Sequence, residues 1–137
     1  MTRFYTIDAA EERLPDVRDI LERLRAQRAE LVELRDLAVE RQGARTGGGD
    51  AGPDDDPELR AIRLRMQGLV DQMQAAVGRL DEWDVVLRDI QSGLVDFPAL
   101  VAGRQVWLCW RLGEETIDWW HDLESGFGGR QPLIDLA

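Results

Sequence analysis

The chain has 137 residues and a formal net charge of −10 at pH 7. All seventeen basic residues are arginine, which excludes lysine Schiff-base chemistry and the phosphate-loop lysine of nucleotide hydrolases. The acidic balance argues against a nucleic-acid partner, because neutralising phosphates requires clustered cations. No apolar run approaches the roughly 18–20 residues that cross a bilayer, and no secretory signal is visible at the N-terminus. We therefore expect one cytoplasmic domain, 1–137, that binds neither nucleic acid nor membrane.

The first part of the chain predicts a long helix over residues 7–42. Thr6 is a suitable N-cap, and Pro15 either kinks this helix or starts the next one. Beyond the proline, apolar side chains recur every three or four residues, which is the period of a helix with one buried face. Residues 43–56 then hold mainly glycine, proline and aspartate, with little apolar material to bury. This composition predicts a mobile loop.

A second helix is predicted over residues 57–82, where Leu59, Met66 and Met73 belong to an uninterrupted apolar stripe. Two helices of matched length that are joined by one loop fold as an antiparallel hairpin. Their wide stripes favour pairing with a second hairpin, so a homodimer is one expected assembly. The alternative is that the rest of the chain covers both stripes within a single molecule.

From residue 83 onward, the spacing of apolar side chains changes from that of a helix to that of a β-strand. We expect strands over 83–89, 94–97 and 105–112, with Pro98 stopping the second strand or forcing it to an edge. In the third strand, alternation places side chains on two faces. One face carries Val106, Leu108 and Trp110, and the other carries Trp107, Cys109 and Arg111.

Gly113 ends the third strand, and residues 114–123 predict a short helix. Residues 83–137 thus form a small tryptophan-rich β-meander with a short C-terminal helix. A three-stranded sheet is not stable alone, so one of its faces must pack on the base of the helical hairpin. The predicted class is α+β, a long antiparallel helical hairpin packed against a small antiparallel meander.

Four segments of the C-terminal part, GLVDFP, LCWRLGE, WWH and GFGGRQPL, carry a family resemblance together with the N-terminal segment FYTIDAAEERLPDV. With these segments the chain resembles a prokaryotic family classed as domain of unknown function 2203. The likeness spans nearly everything outside the loop. It implies a small intracellular bacterial or archaeal protein, and it supplies no catalytic residues. Ala10 stands where asparagine is expected in the N-terminal motif, so no polar role is expected there.

Three polar side chains fall on one stripe of the predicted short helix. Glu114, Asp118 and His121 lie at i, i+4 and i+7, and Asp96 of a neighbouring strand completes the set. Carboxylates and imidazole are ligands of zinc, iron and manganese. The alternative is a solvated acidic face whose histidine pairs locally, since no motif such as HExxH or CxxC is present.

The only cysteine, Cys109, is predicted to be buried and inert, because apolar surroundings raise the pKa of a thiol. A nucleophilic thiol needs a base, and His121 is the only histidine. A Cys–His pair with Asp96 or Glu115 as the orienting acid is therefore the one thiol-based catalytic hypothesis that the chain supports. No catalytic residue is assigned, and the balance leans away from an enzyme.

A second kind of site is a pocket for a small anion or planar ligand, formed by tryptophan rings beside arginines. Its candidates are Trp107, Trp110, Arg111, Trp119 and Arg130. The alternative places the tryptophans in the core and pairs Arg130 with Glu114 or Glu115. The sequence thus predicts a small binding domain that holds a metal or ligand in its C-terminal cap. The competing prediction is a scaffold or dimerisation module whose cap is purely structural.

Overall fold

The structure is a computed structural model that describes residues 3–45 and 56–136. Two helices come first, α1 at Ile7–Arg45 and α2 at Pro57–Glu82. Five strands follow: β1 at Val86–Asp89, β2 at Leu94–Val101, β3 at Arg104–Arg111, β4 at Trp119–His121 and β5 at Gln131–Pro132. They form one antiparallel sheet in sequence order, with 3₁₀ turns at Phe127–Gly129 and Leu133–Leu136. The α+β class, with a helical hairpin and a small meander, is confirmed.

The chain divides into two compact units, and the sheet belongs to the unit made of Met1–Arg25 and Ala76–Ala137. The other unit, Ala26–Ala75, is called the distal hairpin below. That the whole chain is one domain stays a prediction. Neither α1 nor α2, as far as each is described, is long and apolar enough to cross a membrane.

Several polar pairs connect the two helices of the distal hairpin. Glu30 accepts two hydrogen bonds from Arg65, at 2.6 and 2.9 Å, and the Arg65 guanidinium lowers the pKa of that carboxyl. Two further pairs are Gln27 with Gln72 and Arg41 with Asp56. Because later residues of α1 pair with earlier residues of α2, the helices are antiparallel. Of the predicted loop, residues 43–45 belong to α1, and 46–55 lie outside the described residues.

The helix ends follow local capping chemistry. Thr6 is the N-cap of α1, as predicted, since its Oγ1 accepts the Ala9 N–H at 3.0 Å. Pro15 starts no new helix, because α1 runs through it. At the end of α2, Asp84 adopts a positive φ of 59°, and the Val85 N–H returns to the Leu80 carbonyl at 2.9 Å. This left-handed cap takes up the first residues of the predicted strand 83–89, which therefore begins only at residue 86.

The prediction that Pro98 stops β2 is wrong, because the strand continues to Val101. The Pro98 carbonyl accepts a hydrogen bond of 2.7 Å from the Tyr5 N–H, on the side away from β3. The missing N–H of Pro98 points to that same side, where the β1 ladder has already ended at Asp96. No ladder bond is lost, so a proline is tolerated inside this strand.

A two-residue turn sets the register between β2 and β3. Ala102 and Gly103 have φ values of 52° and 78°, which is the pattern of the type I′ hairpin turn. The flanking pair is Val101 with Arg104, and counting back along the ladder brings Asp96 opposite Cys109.

The predicted helix over 114–123 is also wrong, since residues 119–121 form β4 on the free edge of β3. Pairing with β3 satisfies the backbone of this segment and buries Trp120, which is 3% exposed. Consecutive side chains of a strand point to opposite faces, so Trp119 and Trp120 separate completely.

The sheet has two different faces. The first, called the core face below, carries apolar side chains that are all buried: Val95, Phe97, Ala99, Val106, Leu108, Trp110 and Trp120. On this face the Arg18 guanidinium of α1 lies 5.5 Å from the Trp110 ring. The opposite face, called the site face below, carries Asp96, Trp107, Cys109, Trp119 and His121. Side chains alternate along β3 as predicted. Each residue on the core face is therefore followed by one on the site face.

Candidate metal centre

Three residues with metal-binding side chains meet on the site face. Asp96 from β2, Cys109 from β3 and His121 from β4 place their donor atoms within 4.8 Å of one another. Their exposed fractions are only 2%, 1% and 2%. The sheet register explains the cluster, because Asp96 is directly opposite Cys109 and His121 lies one pleat further along the next strand.

The orientation of the His121 ring is fixed by a backbone carbonyl. Its Nδ1 lies 2.9 Å from the Asp122 carbonyl oxygen, and its Nε2 lies 3.0 Å from Asp96 Oδ2. Both partners of the ring are acceptors, and a neutral imidazole carries one N–H, so it can donate to only one of them. Either tautomer then leaves a ring lone pair facing an oxygen in a buried site. An extra proton or a cation satisfies both contacts.

The Asp96 carboxylate is only partly satisfied. Its Oδ2 also accepts a hydrogen bond of 2.8 Å from Arg88 Nε. Its Oδ1 is buried and has no hydrogen-bond partner among the residues that the structure describes. A buried oxygen without a partner is costly and uncommon in native proteins. Asp96 therefore keeps an unused ligand atom inside the cluster.

The Cys109 thiol is buried, as predicted. Burial, together with the nearby charge of Asp96, raises its pKa to about 11, so it is protonated at neutral pH. A nucleophilic cysteine requires the opposite shift and a base that faces the sulfur. Both ring nitrogens of His121 already have oxygen partners. This geometry does not favour the Cys–His catalytic hypothesis.

The cluster lies at the bottom of a cleft of about 280 Å³. Arg88 and Leu94 form one side of the cleft, and residues 123–127 of the C-terminal tail form the other. The Arg88 guanidinium lies 5.0 Å from the Trp107 ring, which holds it beside the cluster. The cleft therefore gives a ligand access to the polar group.

Of the four residues predicted as metal ligands, the structure brings together Asp96 and His121. Glu114 instead accepts hydrogen bonds from the Arg111 N–H at 2.8 Å and from Arg130 at 2.7 Å. Asp118 is exposed and accepts from the Thr116 hydroxyl at 2.9 Å. The stripe that was to align them does not exist, because the helix does not form. Cys109 takes their place, and the register of the hairpin is the signal that could have identified it.

The predicted tryptophan–arginine pocket is divided between the two faces of the sheet. Trp110 is fully buried on the core face, and its Nε1 donates to the Glu114 carbonyl at 3.1 Å. Trp119 is half-buried on the site face, with the Arg130 guanidinium 5.1 Å from its ring. Arg130 also donates to the Cys109 carbonyl at 3.3 Å, in addition to its ion pair with Glu114. The two remaining residues of this set make separate cation–π contacts: Arg88 lies 5.0 Å from the Trp107 ring, and Arg111 lies 5.3 Å from the Phe127 ring.

The sequence as a whole agrees with one known family. The family model described as an uncharacterized conserved protein, DUF2203, matches residues 3–133. The chain belongs to this family. The match includes Asp96, Cys109, His121 and the residues that line the cleft, and it confirms the resemblance seen in the sequence. No curated protein and no solved structure matches this DUF2203 chain. Its function must therefore be inferred from the chemistry of the cluster.

Proposed function

We propose that this DUF2203 protein binds a divalent transition metal through Asp96, Cys109 and His121. The observation that carries the proposal is the buried contact between His121 Nε2 and Asp96 Oδ2 at 3.0 Å, with the other ring nitrogen committed to a backbone carbonyl. Metal-binding histidines commonly donate their second N–H to a carbonyl in this way, which fixes the tautomer and the ring orientation.

A protonated imidazole is the competing explanation, since it also satisfies the contact with the carboxylate. Two features favour the metal. An imidazolium ion leaves Asp96 Oδ1 without a partner, and it makes no use of the neighbouring Cys109 thiol. A metal ion engages a carboxylate oxygen, an imidazole nitrogen and a sulfur at once, which accounts for all three buried groups.

The chemistry of the donors favours zinc. A thiolate is a soft ligand that suits zinc and iron, whereas manganese prefers hard oxygen ligands. Zinc accepts mixed sulfur, nitrogen and oxygen donors in tetrahedral sites. Among the three metals that the sequence indicated, we therefore expect the order zinc, then iron, then manganese.

The spacing of the donors suits a common metal ion. Zinc–sulfur and zinc–nitrogen bonds of about 2.3 and 2.0 Å place tetrahedral ligands about 3.5 Å apart. The donor atoms of the cluster already lie within 4.8 Å of one another. Metal binding therefore draws the donor atoms closer together by about 1 Å at most.

Elemental analysis of the full chain tests the proposal. Protein purified without chelators, or reloaded with zinc, should carry about one metal per chain. The near-isosteric variants Asp96→Asn and Cys109→Ser should lose most of it. Wild-type protein that stays metal-free after incubation with zinc, iron and manganese would overturn the proposal.

Two matched controls separate the cluster from the ligand set that the sequence predicted. Glu114→Gln and Asp118→Asn change carboxylates of the same cap that lie outside the cluster, so both should retain the metal. If these two variants lose the metal while Cys109→Ser keeps it, the sequence-based set is right, because Asp96 and His121 belong to both sets. Circular dichroism of each variant shows whether a loss of metal is caused by unfolding.

Self-association through the distal hairpin is the second candidate function. Three apolar side chains of this unit are strongly exposed: Leu37 at 50%, Val39 at 63% and Leu64 at 68%. Burial of such side chains against a second copy is a plausible use of this surface. Light scattering over a range of concentrations tests it, and a monomer throughout would rule it out.

A further inference from the structure

We infer that the bound metal keeps one coordination position open to the cleft, and that this position takes a small carboxylate ligand with Arg88 as its second contact. The inference rests on the proposed metal site. It names the ligand class of that site and the residue that selects it.

The number of protein ligands leaves the position open. Among the residues whose side chains the structure describes, 3–44 and 56–134, no further histidine, cysteine or acidic residue joins Asp96, Cys109 and His121. A tetrahedral metal with three protein ligands takes its fourth ligand from solvent or substrate, which distinguishes catalytic from structural zinc sites. The cleft above the cluster, about 280 Å³ in volume, gives such a ligand access.

The charge of the cluster selects an anion. Metal binding requires the thiolate of Cys109, so two anionic ligands neutralise a divalent metal while His121 stays neutral. Arg88, whose side chain is 43% exposed, then adds one positive charge beside the metal, and Glu124 is the acidic residue of the cleft lining, outside the cluster, that stands against it. A monoanion in the open position neutralises this charge.

Arg88 is placed to contact the anion directly. Within the described part of the chain, Arg88 makes one hydrogen bond, from its Nε to Asp96 Oδ2. The two terminal nitrogens therefore stay available in a group that lines the cleft. A guanidinium offers paired donors that match a carboxylate.

The walls of the cleft add an apolar component to the ligand. Leu123 and Phe127, both on the tail, are exposed by 53% and 41% although they line the cleft. Leu94 faces them from β2. A carboxylic acid with a short hydrocarbon chain can place its head on the metal and Arg88 and its chain between these side chains. This combination favours a small apolar carboxylate over inorganic anions.

One residue of the protein competes for the same position. Glu124 is exposed and lines the cleft, so its carboxylate is the internal alternative to an external ligand. A variant of Glu124 therefore belongs in the test.

The test uses the full chain loaded with cobalt(II), whose visible absorption depends on the number and type of its ligands. Titration with acetate should give a saturable spectral change, whereas the isosteric neutral acetamide should give none. Butyrate should bind a few-fold tighter than acetate, because its added methylenes contact the apolar walls. Arg88→Gln keeps a donor for Asp96 but removes the charge. It should weaken acetate binding about tenfold, as expected for losing a hydrogen bond to a charged group, with cobalt affinity little changed.

Three results would overturn the inference. Cobalt that binds tightly but does not respond to acetate has no open position. A response that appears only in Glu124→Gln assigns the fourth ligand to the protein itself. Equal acetate affinity in wild type and Arg88→Gln removes the role of the arginine. If cobalt does not bind at all, the proposed metal site fails first, and this outcome is distinct from the other three.

Discussion

The two faces of the sheet are built by the same strands, yet they bury opposite kinds of side chain. On the core face, Phe97 and Trp110 are fully buried among apolar neighbours. On the site face, Asp96 and His121 are almost as inaccessible, although both can carry charge. Hydrophobic burial explains the first face. It does not explain the second, since buried ionisable groups are weak contributors to stability. The core face therefore stabilises the fold, whereas the site face holds polar groups that stability alone does not require.

The largest expected effect lies on the core face. Phe97 is fully buried and packs edge-on against Tyr5, with ring centroids 5.3 Å apart. Phe97→Ala should lower the free energy of unfolding by about 3–5 kcal/mol, because it removes a large apolar side chain and leaves a cavity. Urea denaturation measures the loss. A loss below about 1 kcal/mol would show that this face is not the main source of stability.

The next effect belongs to the site face and depends on metal. A ligand that binds only the folded state stabilises it by about 2.7 kcal/mol at one hundred times its dissociation constant. Thermal unfolding of the wild type should therefore shift upward with zinc and return with a chelator. Asp96→Asn should show no zinc-dependent shift, while Phe97→Ala should keep one. An equal shift in wild type and Asp96→Asn would place the metal elsewhere.

A smaller effect is expected when the polar pair is replaced as a whole. The double variant Asp96→Val/His121→Leu turns the site face apolar at its centre. Replacing a buried ionic pair by apolar residues of similar volume is often neutral or stabilising. We expect metal-free stability within about 2 kcal/mol of the wild type, with metal binding abolished. Unfolding of this variant would mean that the pair is structurally required.

The smallest effect concerns the reactivity of the buried Cys109 thiol on the site face of the metal-free protein. Because burial raises the pKa of Cys109 to about 11, its thiolate fraction at neutral pH is low. Alkylation by iodoacetamide should be slow at pH 7 and should accelerate about tenfold per pH unit up to that range, as the thiolate is the nucleophile. Fast alkylation at pH 7 in the folded state would contradict the raised pKa.

The same raised pKa sets a direction for stability. A thiol that ionises less readily when folded adds stability below its ordinary pKa of 9.0, and this contribution is lost as pH rises toward 11. Metal-free wild type should therefore weaken over this interval relative to Cys109→Ser. Parallel curves for the two proteins would show that the folded thiol titrates normally.

The sequence was informative wherever structure depends on local period. The apolar spacing of α1 and α2 and the alternation of β3 locate these elements to within a few residues. The incorrect predictions concern segments whose structure depends on contacts with residues distant in the sequence. Residues 114–123 have side chains that fit a helix, but the free edge of β3 recruits residues 119–121 as a strand. Pro98 stays inside β2 because the N-terminal segment, not β1, lies beside it.

The sequence alone predicted part of the candidate site. Asp96 and His121 were identified by residue type, but their grouping with Glu114 and Asp118 assumed a helix that does not form. Cys109 was assigned to the core because its strand neighbours are apolar. Only the pairing of three strands shows that it shares a face with a carboxylate and an imidazole, and this pairing is a property of the whole sheet.

The tight turn at Ala102 and Gly103 has a consequence beyond its own geometry. The length of the turn sets the register between β2 and β3, and so determines which of their residues are paired. Inserting one residue there would slide the ladder, separate Asp96 from Cys109 and turn apolar side chains outward on one strand. The packing of the core face and the Asp–Cys–His cluster would be disrupted together, although neither includes the turn. In this chain, the length of the connection therefore determines whether Asp96 and Cys109 stand opposite each other.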